Sequence, residues 1–120
     1  MNIPRIMIAL MTLFSQEGKK VSAIKCGPDY IDPMFHRTVL DVPSRNLDTF
    51  FTGERLTGSL FARAAESADL AVMEGVMGLY DGLGGIRKEG SSYHLAEVTK
   101  TPVILVVNAH GMGRSILPVI

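Results

Sequence analysis

A cation and two carboxylates lie within eight residues of one another near the start of the chain. Lys25 is followed by Asp29 and Asp32, and Pro28 and Pro33 restrict the backbone on either side of the two aspartates. Both carboxylates could therefore be held toward one ligand, while Lys25 could act as a point charge on a phosphate during phosphoryl transfer. The alternative is a turn in which the aspartates accept local hydrogen bonds and Lys25 is a solvated strand end.

Three further acidic residues are candidates for chemistry. Asp48 closes the polar segment 44–48 and could either cap a helix or act as a hard oxygen ligand for Mg²⁺. Glu74 leaves an apolar run and is followed by glycines, as in enzymes that hold a metal ion for phosphoryl transfer. Asp81 either joins such a site or only begins a turn with Gly82.

The elements that must position these residues follow the rhythm of parallel βαβ units, so the chain is predicted to be α/β, with a mainly parallel sheet flanked by helices. Strands are predicted at 3–9, 20–25, 69–73 and 102–107. Helices are predicted at 10–17, ended by Gly18, at 53–67, capped by Thr52, and at 92–99, capped by Ser91 and Ser92. Residues 26–51 are predicted to form a long functional loop, because three prolines interrupt them.

Polar side chains follow the predicted strands at their carboxyl ends, where open α/β sheets bind ligands. Lys25, Glu74 and Asn108 each follow a different strand. The sequence therefore predicts that these three side chains converge on one active site.

Composition excludes several classes of function. Twelve basic and twelve acidic residues give no net charge, so nucleic acid and anionic membranes are not expected partners. One cysteine, Cys26, cannot form an internal disulfide, which fits a reducing cytoplasm, and it is interpreted as a small apolar residue rather than a nucleophile. The apolar run after Arg5 is too short to span a bilayer, and no small-residue cleavage site follows it. His94 is equally compatible with packing or ligation, and His36 and His110 have no identifiable partner.

Four motifs in consistent order resemble those of the cobyrinic acid a,c-diamide synthases. They are GPDYIDP at 27–33, SRNLD at 44–48, EGVMGLYDG at 74–82 and TPVILVVNAHGMGRS at 101–115. The resemblance implies a P-loop NTPase-like α/β fold similar to dethiobiotin synthetase. It also implies that MgATP phosphorylates a carboxylate of a corrinoid or related tetrapyrrole and that ammonia displaces the phosphate. In that family a C-terminal glutaminase domain supplies the ammonia from glutamine.

The resemblance also implies roles for individual residues. Lys25 and Asn108 would bind ATP, Asp48 and Glu74 would hold Mg²⁺, and Asp29 and Asp32 would position the tetrapyrrole carboxylate or ammonia, with Asp81 nearby in the catalytic group. Substrate contacts would come from Tyr30, Ile31, Ser44, Arg45 and Asn46. A homodimer is a further expectation.

Two departures from the family pattern bear on activity. The phosphate-binding motif GxxxxGK[ST] that should follow the first strand is absent from the sequence. We expect residues to be missing between Ala9 and Leu10, and the glutaminase domain to be missing after Ile120. The chain would then be a partial synthetase domain, 1–120, and its fold incomplete. The alternative is a non-catalytic or regulatory binding module, such as a partition-ATPase-like relative or a remnant.

Overall fold

The computed structural model describes residues 3–120, and its elements alternate between helix and strand. Their order is α1 (Ile3–Gln16), β1 (Val21–Cys26), α2 (Ile31–Val39), β2 (Ser44–Leu47), α3 (Thr49–Ala65), β3 (Leu70–Glu74) and α4 (Ser92–Thr99). Two short 3₁₀ turns lie at Leu83–Gly85 and Arg114–Val119. None of the helices among residues 3–120 has the length and hydropathy needed to cross a membrane.

The three strands form one parallel sheet in the order β2-β1-β3, which confirms the α/β prediction. All six residues of β1 are buried, as expected for the central strand of a sheet covered on both faces. Lys25 is in register with Asn46 on β2 and with Glu74 on β3. Three polar residues therefore stand side by side across the sheet at its carboxyl end.

The side chains of β1 point alternately to the two faces of the sheet, so the hydrophobic core has one part on each face. Val21 and Ala23 pack with Met7 and Met11 of α1 on one face. On the other face, Ile24 and Cys26 pack with side chains from the opposite helices, Ala64 of α3 and Leu95 of α4. Lys25 follows Ala23 by two residues, so it shares the face on which α1 and α2 pack.

The prediction of a strand at 3–9 is wrong, because these residues form the first half of α1. A continuous apolar run does not distinguish a buried strand from a helix by its period alone. Here Met7 and Met11, four residues apart, lie on one helical face and are both buried. The predicted helix end is confirmed: α1 ends at Gln16, and Gly18 adopts a φ of 81°.

The prediction of one long loop at 26–51 is wrong, because this stretch contains α2 and β2. Pro33 indicated a loop, but it lies in the first turn of α2, where a missing N–H costs no helical hydrogen bond. The polar strand Ser44–Leu47 lacks a continuous apolar run, and only its first and last residues are buried. Its strand character comes from pairing with β1.

The third helix begins earlier than predicted, and its cap is Asp48 instead of Thr52. Asp48 Oδ1 accepts a hydrogen bond from Phe50 N at 2.8 Å, while Thr52 Oγ1 donates to Asp48 O at 3.0 Å. Gly53 interrupts the helix with a φ of 67°. The predicted helix at 92–99 is confirmed, and Ser91 caps it by accepting a hydrogen bond from His94 N.

The predicted strand at 102–107 is not formed. Val103, Ile104 and Leu105 are at least half exposed, and within residues 3–120 this stretch pairs with no strand. A run of apolar, β-branched residues forms a β-strand only when a neighbouring strand provides main-chain hydrogen-bond partners. Among the described strands β3 pairs with β1 alone, so residues 102–107 lack that partner.

Candidate functional site

A buried lysine surrounded by three carboxylates forms the centre of the candidate site. Lys25 is 5% exposed, and its Nζ lies 2.9 Å from Asp32 Oδ2, 3.2 Å from Glu74 Oε1 and 3.6 Å from Asp29 Oδ2. Burial alone would lower the pKa of Lys25, but the hydrogen bond with Asp32 and the charge of Glu74 outweigh it and raise the pKa. Lys25 is therefore a permanent cation. Of the three side chains predicted to converge, Lys25 and Glu74 are in contact, whereas no contact found within residues 3–120 joins Asn108 to them.

Glu74 is the unusual member of this cluster. It is 2% exposed, and neither of its carboxylate oxygens has a hydrogen-bond partner among the described residues, since the 3.2 Å contact with Lys25 is an ion pair without hydrogen-bond geometry. Burial raises the pKa of Glu74 and outweighs the opposing effect of the Lys25 charge. The Lys25 contact is made at Oε1, and buried carboxylate oxygens normally find hydrogen-bond donors, so Oε2 in particular has unused capacity to bind a donor or a cation.

Asn46 holds the loop that carries Asp29 and leads into α2. Its Nδ2 donates to Gly27 O at 2.8 Å and to Asp29 O at 2.6 Å. Asp29 Oδ1 in turn accepts from Ile31 N at 2.9 Å, at the start of α2. Partial burial opposes ionisation of Asp29, but the hydrogen bond from Ile31, together with Asp32 and Lys25, lowers its pKa. Asn46, predicted as a substrate contact, is therefore engaged with the protein's own backbone.

Replacing Asn46 with alanine should lower the free energy of unfolding by about 1–3 kcal/mol, because two backbone carbonyls lose their donor. Chemical denaturation followed by circular dichroism measures this. Asn46→Asp is the matched control: it keeps the shape but places carboxylate oxygens against the carbonyls of Gly27 and Asp29, so it should cost more. An Asn46→Ala variant as stable as the parent chain would contradict the bracing role.

The other predicted site residues lie in varied surroundings. Ser44 is 4% exposed and its Oγ contacts His36, whereas Arg45 is exposed on β2. Asp48 is half-buried and uses Oδ1 to cap α3. Tyr30 and Ile31 are 79% and 73% exposed, so their side chains are open to a ligand.

Asp81 and Asn108 are engaged in local turns. Asp81 Oδ2 accepts from Gly78 N at 2.9 Å, and Asn108 Oδ1 accepts from His110 N at 3.0 Å. Both residues are exposed, and no contact found within residues 3–120 joins either to Lys25. Their predicted catalytic and nucleotide-binding roles stay predictions.

Two buried histidines connect elements of the fold, and the sequence did not predict this role for either of them. His36, expected to lie in a loop, is on α2 and contacts Ser44. His94 bridges α4 to α3, with Nδ1 2.8 Å from Thr49 Oγ1 and Nε2 3.0 Å from Glu54 Oε1. The signal for His36 was its spacing, four residues after Asp32, which becomes informative only once α2 is recognised as a helix.

Large apolar side chains surround the carboxyl end of the sheet. They are carried by the segments that follow the three strands: Tyr30 and Ile31 after β1, Phe50 and Phe51 after β2, and Met77 and Tyr80 after β3, each more than half exposed. The rings of Phe50 and Phe51 meet edge to face at 5.2 Å. Large apolar side chains exposed at the ligand-binding end of a parallel sheet are compatible with a binding site there.

The two cavities of note lie at the other end of the molecule. One, of about 470 Å³, is lined by Val21, Ser22 and the chain around Pro43, and a second, of about 320 Å³, lies beside it against Met11. Both are at the amino end of β1, away from the charged cluster. We place the candidate site at the carboxyl end, because that is where the ionisable groups and the unsatisfied Glu74 are.

No family model matches this chain, and no solved structure matches it significantly. Curated proteins do match. The chain is 43% identical over 92% of its length to the cobyrinate a,c-diamide synthase of Priestia megaterium, and 44% identical over 92% to the hydrogenobyrinate a,c-diamide synthase of Mycobacterium bovis. It covers 24% and 25% of those proteins, so it spans about a quarter of their length.

A third relative, the cobyrinate a,c-diamide synthase of Dehalococcoides mccartyi, is 40% identical over 96% of this chain. That alignment extends over 129 positions, more than the 120 residues of the chain. It therefore includes positions at which the relative has residues and this chain has none.

Proposed function

The chain is a relative of the cobyrinate and hydrogenobyrinate a,c-diamide synthases and corresponds to one segment of them, and we propose that it forms part of an ATP-dependent, carboxylate-amidating ligase. The substrate would be cobyrinate or a related tetrapyrrole in cobalamin biosynthesis. Ammonia would come from glutamine hydrolysed by a glutaminase domain of the intact enzyme. The free, buried Cys26 is compatible with a cytoplasmic enzyme.

The observation that carries this proposal is the Lys25 cluster at the carboxyl end of the sheet. A carboxylate is a poor electrophile, so amide formation first requires one of its oxygens to attack the γ-phosphorus of ATP, which releases ADP and leaves an acyl phosphate. Ammonia then attacks the acyl carbon and phosphate leaves, carrying a proton that ammonia loses. Lys25, a permanent cation at a strand end, is suited to stabilise the charge on the phosphoryl group in transfer.

Electrostatics favours one of the two roles open to Asp29 and Asp32. Two carboxylates beside Glu74 repel the carboxylate of a substrate and attract an ammonium ion. The lowered pKa of Asp29 keeps that carboxylate ionised. We therefore assign Asp29 and Asp32 to the ammonia side of the reaction, where they bind an ammonium ion and accept the proton whose loss leaves ammonia free to attack.

The residues present fit a magnesium ion in part. Glu74 offers two buried oxygens without donors, and Asp48 uses one oxygen for its cap. No group of three or more ligating side chains occurs within residues 3–120, but Mg²⁺ commonly takes one or two carboxylates and completes its shell with water and phosphates. Glu74 and Asp48 would hold the ion, which when bound neutralises phosphate charge.

The apolar rim suits the proposed substrate. A tetrapyrrole presents a broad apolar ring edged by carboxylate side chains. Tyr30, Ile31, Phe50 and Phe51 could contact the ring face while a peripheral carboxylate lies near the carboxyl end of the sheet.

Direct assay of the intact protein tests the proposal. Incubation with ATP, Mg²⁺, an ammonium salt and cobyrinate should yield the a,c-diamide, detected by mass spectrometry, together with ADP. The ammonium salt bypasses the glutaminase. The proposal would be contradicted if ADP were released independently of the tetrapyrrole and no amide were formed.

One observation favours the non-catalytic alternative for the 120 residues themselves. Helix α1 runs unbroken through Ala9 and Leu10, where the phosphate loop was expected, and the sequence contains no GxxxxGK[ST]. ATP phosphates bind chiefly through the backbone N–H groups of such a loop. This polypeptide should therefore show no micromolar ATP binding by calorimetry in the presence of Mg²⁺. Micromolar affinity would contradict this expectation and show that the loop is dispensable.

A further inference from the structure

We propose that His36 is a positioning residue, whose hydrogen bond to Ser44 fixes α2 on the sheet so that Asp32 lies against Lys25. The inference deepens the proposed function, because it rests on that function for the role of Asp32 in amidation. The geometric claim itself concerns only the placement of one carboxylate beside one ammonium group.

His36 and Asp32 are separated by one turn of α2, so they lie on the same side of the helix. The Asp32 carboxylate reaches Lys25 Nζ at 2.9 Å, and the His36 ring reaches Ser44 Oγ through Nδ1 at 3.1 Å. Lys25 is on β1 and Ser44 is on the adjacent strand β2. One helical face is therefore joined to two neighbouring strands by two side-chain contacts.

The importance of the His36–Ser44 hydrogen bond depends on what else holds α2 in place. Tyr30, which precedes the helix, makes no side-chain capping bond, and the N–H of Ile31 donates instead to Asp29 Oδ1 at 2.9 Å. A helix of nine residues has little stability in isolation and depends on packing for its position. Arg37 Nη1 donates to Ser44 O at 2.9 Å, which anchors the last turn to the same residue of β2.

The imidazole acts here as a neutral hydrogen-bonding group. His36 is 1% exposed, and burial lowers its pKa despite the opposing charges of Asp32 and Asp29, with Lys25 and Arg37 favouring the same direction as burial. A neutral ring can exchange one hydrogen bond with the Ser44 hydroxyl at low cost in the core. Its role is to set a position, and the charge of the site comes from Lys25 and the carboxylates.

A direct readout of the Lys25–Asp32 contact tests the proposal. In NMR spectra of this chain, the Lys25 ammonium group should give a slowly exchanging signal with a scalar coupling to the Asp32 carboxyl carbon. His36→Leu and Ser44→Ala should both lose that coupling while their backbone amide spectra remain those of a folded protein. His36→Asn should retain it, because its side-chain amide offers a hydrogen-bonding atom near the position of Nδ1.

Ser44→Ala keeps the test decisive if His36→Leu does not fold, because it removes the same hydrogen bond with almost no change in volume. An unchanged Lys25–Asp32 coupling in a folded His36→Leu or Ser44→Ala variant would overturn the positioning role. A loss of coupling in His36→Asn equal to that in His36→Leu would also overturn it, because volume rather than hydrogen bonding would then decide.

Turnover in the intact protein separates this inference from the proposed function. If His36 acts through Asp32, His36→Leu should add little to the loss of kcat caused by Asp32→Asn, although each lowers kcat alone. If the fold losses of kcat in the two single variants multiply fully in the double variant, His36 acts independently of Asp32. If Asp32→Asn leaves amidation unchanged while the NMR coupling responds as expected, the positioning stands and the assignment of Asp32 to catalysis fails.

Discussion

The Lys25→Met variant of this chain should lose about 3–5 kcal/mol of unfolding free energy, which is enough to unfold many small domains at room temperature. The loss of stability arises from the Glu74 carboxylate, which stays buried when Lys25 is replaced. Glu74 is 2% exposed, and neither oxygen has a hydrogen-bond donor among the described residues, so Lys25 is the only cation that contacts it there. Removing that cation leaves an uncompensated buried charge, while methionine preserves most of the volume.

The double variant Lys25→Met/Glu74→Gln is the matched control. It removes both charges from the interior, so most of the lost stability should return. Denaturant unfolding of the parent chain, both single variants and the double variant gives the interaction energy. If the double variant is as unstable as Lys25→Met, the loss comes from packing, and the buried-charge explanation is wrong.

The pH dependence of Lys25→Met should have a definite sign. Burial raises the pKa of Glu74, and without Lys25 the effect that opposes this rise is gone. The folded state then binds a proton more tightly than the unfolded state. The variant should therefore gain stability as pH falls from neutrality through the raised pKa of Glu74 toward the ordinary carboxyl range. A fall in stability over that window, relative to the parent chain, would contradict this expectation.

Asp32→Asn should reduce kcat for amidation in the intact protein by about 10²–10⁴-fold, the range expected when a group that accepts a proton in the reaction is lost. Its effect on folding should be modest, because asparagine can still accept a hydrogen bond from Lys25, and Lys25 keeps Glu74 at 3.2 Å and Asp29 at 3.6 Å. We expect a loss of about 1–2 kcal/mol of unfolding free energy, because the Lys25 and Asp32 side chains are only 6% and 23% exposed and a charged hydrogen bond becomes a neutral one.

Asp41→Asn provides the matched control for the same chemical change. Asp41 is exposed after α2 and has a φ of 52°, a backbone conformation that asparagine tolerates. Steady-state rates with saturating ATP and ammonium should be unchanged in this variant. Equal losses in the two variants would show that a general change in charge, rather than the position of Asp32, determines turnover.

The sequence predicted the charged cluster better than the elements around it. Lys25 and Glu74 were recognisable because each closes an apolar run, and parallel strands bring their carboxyl ends to one edge. The helix α2 was missed because proline usually indicates a loop, and only the position of Pro33 in the first turn makes it compatible with a helix. The strand predicted at 102–107 failed for a different reason: its residue types suit a strand, but the ladder that it requires is a tertiary property.

The contacts of Asn46 and His36 could not be foreseen from residue types. Asn46 bonds to carbonyls 17 and 19 residues away in the chain, and His36 meets a serine on a strand that the sequence did not predict. Long-range hydrogen bonds of this kind follow from the register of β1 and β2. Without that register the same residues suggest only ligands or loop polarity.

The register also determines how tolerant the site should be to change. Asn46, Lys25 and Glu74 occupy facing positions on three adjacent strands, so their separation is the repeat distance of a sheet, about 4.8 Å per strand. Main-chain hydrogen bonds set that interval, and the identity of the core side chains does not. The core could therefore be repacked with other apolar residues, and Asn46, Lys25 and Glu74 would keep their spacing. Shifting the register of one strand by a single residue would instead turn the polar side chain of that strand to the opposite face of the sheet.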